Sequence, residues 1–112
     1  MRLLIAIDED KGENSKLSEH FGHCPYFAIY ETNTKEIKII KNKLEHSNPN
    51  ISPVDQIMKI NPKIVFSKGM GGRAIRLFEE KGVKIMTGKF NFVKEVIDNL
   101  NSLDKLKLGC DH

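Results

Sequence analysis

Ile64-Val65-Phe66-Ser67-Lys68-Gly69-Met70-Gly71-Gly72-Arg73-Ala74-Ile75 decides the fold, together with the Phe78, Gly82 and Val83-Lys84-Ile85-Met86 that follow. Three consecutive apolar residues between Pro62 and Ser67 suit a short buried strand. A glycine-rich turn then opens a stretch in which Ala74, Ile75 and Phe78 share one helical face, and Gly82 stops it before a second apolar run. Strand, helix and strand in so short a span make a parallel crossover, and the right-handed rule for such crossovers lays the helix on one face of a sheet.

Working outward, Leu3-Leu4-Ile5-Ala6-Ile7 is a continuous apolar run ending at Asp8-Glu9-Asp10, as expected of a central strand covered on both faces. From Glu9 to His23 the chain holds Gly12, Asn14, Ser15, Ser18 and Gly22 with hardly any apolar periodicity, and reads as a long loop of functional importance. Tyr26 to Tyr30 and Ile37 to Ile40, separated by polar Glu31 to Thr34, predict an antiparallel hairpin. Ser52-Pro53 starts a helix with Ser52 as cap and Val54, Ile57 and Met58 on one face; Pro62 ends it. Val93, Val96, Ile97 and Leu100 mark a last helix. The pattern predicts one α/β domain over residues 1–112, with a five-stranded mixed sheet and helices on both faces. The fourth strand lies beside the first and the fifth outside it. Ligands of such sheets bind beyond the carboxyl ends of the parallel strands, where the loops after Ile7 and after Phe66 would meet.

The 112 residues leave room for one core. With 39% hydrophobic and 29% charged residues the composition excludes disorder, collagen-like repeats and a disulfide scaffold. The longest apolar run is far too short for a membrane helix or a signal peptide, so a cytoplasmic protein is expected. A net charge of +3, with lysines spread from Lys11 to Lys107, gives no basis for a nucleic-acid partner.

Three groups could carry chemistry. His20, His23 and Cys24 in the long loop, with Cys110 and His112 at the C-terminal end, concentrate thiols and imidazoles in two short segments, and only His46 lies elsewhere. Such donors suit iron, iron–sulfur clusters, copper(I) or zinc, although the spacing matches no structural zinc site. The turn containing Gly69, Gly71, Gly72 and Arg73 could hold an anion through backbone N–H groups and a guanidinium, but it lacks the Gly-Lys-Ser/Thr of a phosphate loop. Asp8 and Asp10 could serve a divalent-metal phosphoryl-transfer enzyme, with no obvious further carboxylates to complete the site. Alternatively both cysteines are structural and the edge strand near Lys35 to Lys41 pairs with a protein partner or with itself.

Ser18-Glu19-His20-Phe21-Gly22-His23-Cys24-Pro25-Tyr26-Phe27 resembles the dinitrogenase iron–molybdenum cofactor biosynthesis family, the NifX-type domains also found at the C-terminus of NifB. The likeness continues through Gly69 to Ala74, Phe78 to Lys84 and the closing Gly109-Cys110-Asp111-His112, and so spans essentially the whole chain. The resemblance implies a ribonuclease-H-like topology and binding rather than catalysis. It implies a carrier of an iron–sulfur cluster or iron–molybdenum cofactor precursor, exchanged with other metallocofactor assembly proteins. On it His20, Cys24, Cys110 and His112 would be ligands, and Gly71, Gly72 and Arg73 would hold the anionic cluster or its organic acid.

Overall fold

The computed structural model describes residues 1–44 and 52–105, with the side chains of Asp104 and Lys105 excepted. Its elements are β1 (Arg2–Ile7), β2 (Tyr26–Glu31), β3 (Glu36–Lys41), α1 (Pro53–Met58), β4 (Ile64–Phe66), α2 (Gly72–Glu80), β5 (Lys84–Thr87), α3 (Val93–Asp98) and β6 (Asp104–Lys105). They form one sheet in the order β3-β2-β1-β4-β5-β6. The hairpin β2–β3 is antiparallel to β1, whereas β4 runs parallel to β1 in the register Leu3↔Ile64, Leu4↔Val65, Ile5↔Phe66. β5 continues the parallel run. All five expected strands are in their expected places. The difference is β6, a two-residue strand antiparallel to the outer edge of β5, which makes the sheet six-stranded. Two residues in a polar stretch carry too little pattern to be read from sequence.

β1 is buried along Leu3 to Ile7 because both faces of the sheet are covered. Leu4 and Ala6 join Phe27, Val65 and Ile85 beneath Val54 and Ile57 of α1 and Ile75 and Phe78 of α2. Leu3, Ile5 and Ile7 join Ala28, Tyr30 and Phe66 beneath Val93 and Val96 of α3. The strand's twofold alternation thus feeds two cores at once.

Helix boundaries follow local chemistry. The hydroxyl of Ser52 accepts from the Asp55 N–H at 3.0 Å and Pro53 occupies the first turn. α2 ends at Gly82, whose φ of +77° lies in the region glycine adopts without strain. At the start of α3 the Glu95 carboxylate accepts from the N–H groups of Asn91 and Phe92 at 2.8 and 3.0 Å.

The stretch from Glu9 to His23 is more ordered than its sequence suggests. Gly12–Asn14 form a single 3₁₀ turn, Leu17 bridges to Ile7 and Lys16 to Phe92. Ser15, Leu17 and Ser18 are buried. One apolar residue among polar neighbours has no periodicity, so its docking beside β1 was invisible in the sequence.

Candidate functional site

β1 and β4 are parallel neighbours, so the segments leaving their C-terminal ends emerge side by side. The first segment returns along β1: the Asp8 N–H donates to the Lys16 carbonyl at 2.8 Å and the Ser18 N–H to the Ala6 carbonyl at 3.0 Å. Buried Ser18 then turns the chain, its Oγ accepting from the His20 N–H at 3.2 Å. The second segment turns in the same way, with the Oγ of buried Ser67 accepting from the Gly69 N–H at 3.2 Å and donating to the Gly69 carbonyl at 2.6 Å. These serine turns meet. A Cβ added at Gly69 would lie 3.3 Å from the Glu19 carbonyl oxygen, so glycine there lets the two loops touch.

Around this contact His20 and His23 are both exposed, as are Gly71, Gly72 and Arg73. Arg73 makes no ion pair among the described residues. Gly71 caps α2 without a side chain, and nothing lies within 4 Å of where its Cβ would be. Phe21, between the two histidines, packs its ring 5.6 Å from Phe27 and 5.8 Å from Phe78, centroid to centroid. This aromatic trio fixes the histidine loop to β2 and α2.

Cys24 is different. It is only 3% exposed, and burial pushes its thiol above the ordinary range, with the nearby Asp8 charge acting the same way. Backbone hydrogen bonds from Gly22, Ile7 and Cys24 itself work against this shift. The thiol faces the core while the imidazoles face solvent, and the loop between them is clamped by Asn42. The Asn42 side-chain amide donates to the carbonyls of Gly22 at 2.8 Å and Cys24 at 2.7 Å. Asn42, Ser18 and Ser67 were not singled out from the sequence. The serines had a legible signal, a serine two residues before the turn it closes at both Ser18 to His20 and Ser67 to Gly69. Asn42, following a strand, had none.

Among the described residues no three of His, Cys, Asp and Glu converge as a metal set. His46, Cys110 and His112 lie outside the described residues. Asp8 and Asp10 are exposed, and Glu9 between them is engaged by the Lys16 N–H at 3.0 Å and the Lys11 ammonium at 3.1 Å. The candidate site therefore offers two exposed histidines and one buried thiol on one loop, and a glycine turn with Arg73 on the loop that meets it at Glu19 and Gly69. Such a surface could offer imidazole nitrogens to a metal from one loop and donate hydrogen bonds to an anion from the other.

A family model described as dinitrogenase iron-molybdenum cofactor matches residues 1–103. The chain belongs to this family. An uncharacterised protein of Methanocaldococcus jannaschii is 26% identical over 102 residues, which cover 87% of this chain and 82% of that one. The fold is also that of a candidate NifB protein from Thermotoga, at a TM-score of 0.78 and 21% identity over 99% of this chain and 97% of the other. The apo form of the orange protein from Desulfovibrio gigas superposes at a TM-score of 0.78, with 13% identity over 94% of this chain and 92% of its own. The match covers β1 to β5 and both loops of the candidate site, and stops just before β6. Among the described residues no helix is long and apolar enough to cross a membrane.

Proposed function

We propose that this chain binds and carries an iron–sulfur type cluster or an iron–molybdenum cofactor precursor, taking it from one metallocofactor assembly protein and delivering it to another. The observation that carries this reading is the contact between the histidine loop and the glycine turn at Glu19 and Gly69. It supports the reading because the loop holding His20 and His23 and the turn before α2 leave the same end of parallel strands, in a chain of the dinitrogenase iron-molybdenum cofactor family.

The cluster is cargo, so the residues should hold it reversibly. His20 and His23 would ligate exposed iron, and the N–H groups around Gly71 and Gly72, with Arg73, would hold the cluster's negative charge, while the Gly69 N–H is already engaged by Ser67. Cys24 fits a second role. A buried thiol held protonated is a poor ligand until the loop opens and the proton leaves, so it would bind in a tightened state, not on first encounter. Cys110 and His112, which lie outside the described residues, would add a thiolate and an imidazole to the ligand set. No step in this reading makes or breaks a covalent bond in a substrate, and the chain acts as a binding protein, not an enzyme.

Anaerobic reconstitution with ferrous iron and sulfide, read by metal analysis and visible absorption, tests the reading. Stoichiometric uptake is expected for the wild type, with at least a tenfold loss of affinity in His20→Ala/His23→Ala and a smaller loss in Cys24→Ala and Cys110→Ala. Uptake that is absent in the wild type, or unchanged in all of these variants, rules the carrier role out. In the sheet order β3 occupies one end. That edge supports a second reading, a module that pairs with a protein strand, whose mark is partner binding that survives loss of both cysteines.

A further inference from the structure

Where β3 runs out and α1 passes over the sheet, a cleft of about 530 Å³ opens, floored by Phe27, Ile40, Leu44 and Ile60. Its volume falls in the range of small-molecule sites. The rim carries Lys41, Lys43 and Lys59, all exposed, and among the described residues no Asp or Glu lines the cleft. The ion pairs among the described residues, Arg2 with Glu31, Lys11 with Glu9 and Lys81 with Asp55, leave these three lysines uncompensated.

Three ammonium groups around one apolar depression repel one another, and an anion among them relieves that repulsion. An apolar floor beneath the charge selects against a bare inorganic ion, because such an ion would gain no burial from it. A metal cluster is equally unsuited to the described lining, since among the described residues no Cys, His, Asp, Glu or Met lines the cleft. We infer that the β3–α1 cleft is a binding site for a small amphipathic anion, an aromatic or aliphatic body bearing a carboxylate or a chemically similar acid, separate from the surface proposed to carry the cluster. The apolar body lies on Phe27, Ile40, Leu44 and Ile60, and the acid group meets the lysine rim.

The test is a titration of the metal-free ¹⁵N-labelled chain with 1-naphthoate, followed by amide chemical shifts. Saturable shifts are expected at Ile40 to Leu44 and at Ile57 to Ile60. The charge-reversed variant Lys43→Glu/Lys59→Glu, altered only at exposed positions, should retain the spectrum of the folded wild type and bind at least tenfold more weakly. 1-Naphthalenemethanol, which keeps the ring system and lacks the charge, should also bind at least tenfold more weakly. The inference fails if the shifts instead map to His20–Cys24 or Gly69–Arg73, or if the neutral alcohol or the reversed variant binds as well as the acid does to wild type. It fails too if another occupant, the chain's own residues 45–51 included, holds the cleft and no shifts occur. Because no iron is present, neither result depends on the carrier reading, and loss of cluster uptake would leave this site standing.

Discussion

Asn42 joins two parts of the molecule that the sequence keeps apart. Its side-chain amide donates to the Gly22 and Cys24 carbonyls, while its Oδ1 accepts from the Leu44 N–H at 2.8 Å. Those bonds hold the histidine loop closed over the Cys24 thiol. Losing a pair of such hydrogen bonds costs roughly 1–3 kcal/mol, and about 1.4 kcal/mol is a factor of ten in an opening equilibrium. Asn42→Ala should therefore raise the rate of Cys24 alkylation by iodoacetamide about tenfold or more, followed by peptide mass mapping to separate Cys24 from Cys110. An unchanged rate would mean that the clamp does not govern access. The residue types of the site were legible because His20, His23, Cys24 and the Gly69–Arg73 turn carry distinctive chemistry in short windows. The depth of Cys24 was not, since its burial depends on Phe27 and on a clamp from beyond a complete hairpin.

Among the elements, α1 is only six residues long and depends on its start and on α2 beside it. Replacing the Ser52 cap should cost about 1 kcal/mol, measured as the shift in the urea midpoint of Ser52→Ala. Asp55 in the same turn is held below the usual carboxylate range by the Ser52 hydroxyl and then by the Lys81 ammonium, 3.3 Å away at the end of α2. A depressed carboxyl favours the folded state above the unfolded carboxylate range, and the benefit disappears as pH falls through the lowered value. Below about pH 4, where an unfolded aspartate starts to take up its proton, stability should drop. Asp55→Asn should remove part of that drop, whereas an identical acid limb in both proteins would show that the α1–α2 pairing contributes nothing. Elements announced by caps, glycine stops and periodic apolar faces were all readable. The returning segment from Lys16 to Ser18 was not, because what holds it is backbone pairing to Ala6, Asp8 and Asn91. A ladder of that kind leaves no trace in side-chain pattern.

For the whole molecule the consequence of a sheet covered on both faces is mechanical as well as architectural. Ile5 points into the core under α3, and Ile57 of α1 belongs to the core on the opposite face; both are fully buried. Each loss of a methyl group by Ile→Val should cost about 1 kcal/mol. The two side chains sit in different cores, so the costs should add to about 2 kcal/mol in the double variant. They also share one set of strands. If the sheet ties the faces together, Ile5→Val/Ile57→Val will unfold in a single transition whose midpoint is the same by far-UV circular dichroism and by amide exchange on either face. Separate midpoints would mean that α3 and its core can open while α1 and α2 stay folded. The histidine loop reaches both sides, Leu17 packing in the α3 core and Phe21 against the other. A single transition would therefore make the histidine loop as stable as the sheet itself, and two transitions would leave that loop the natural place for the molecule to open.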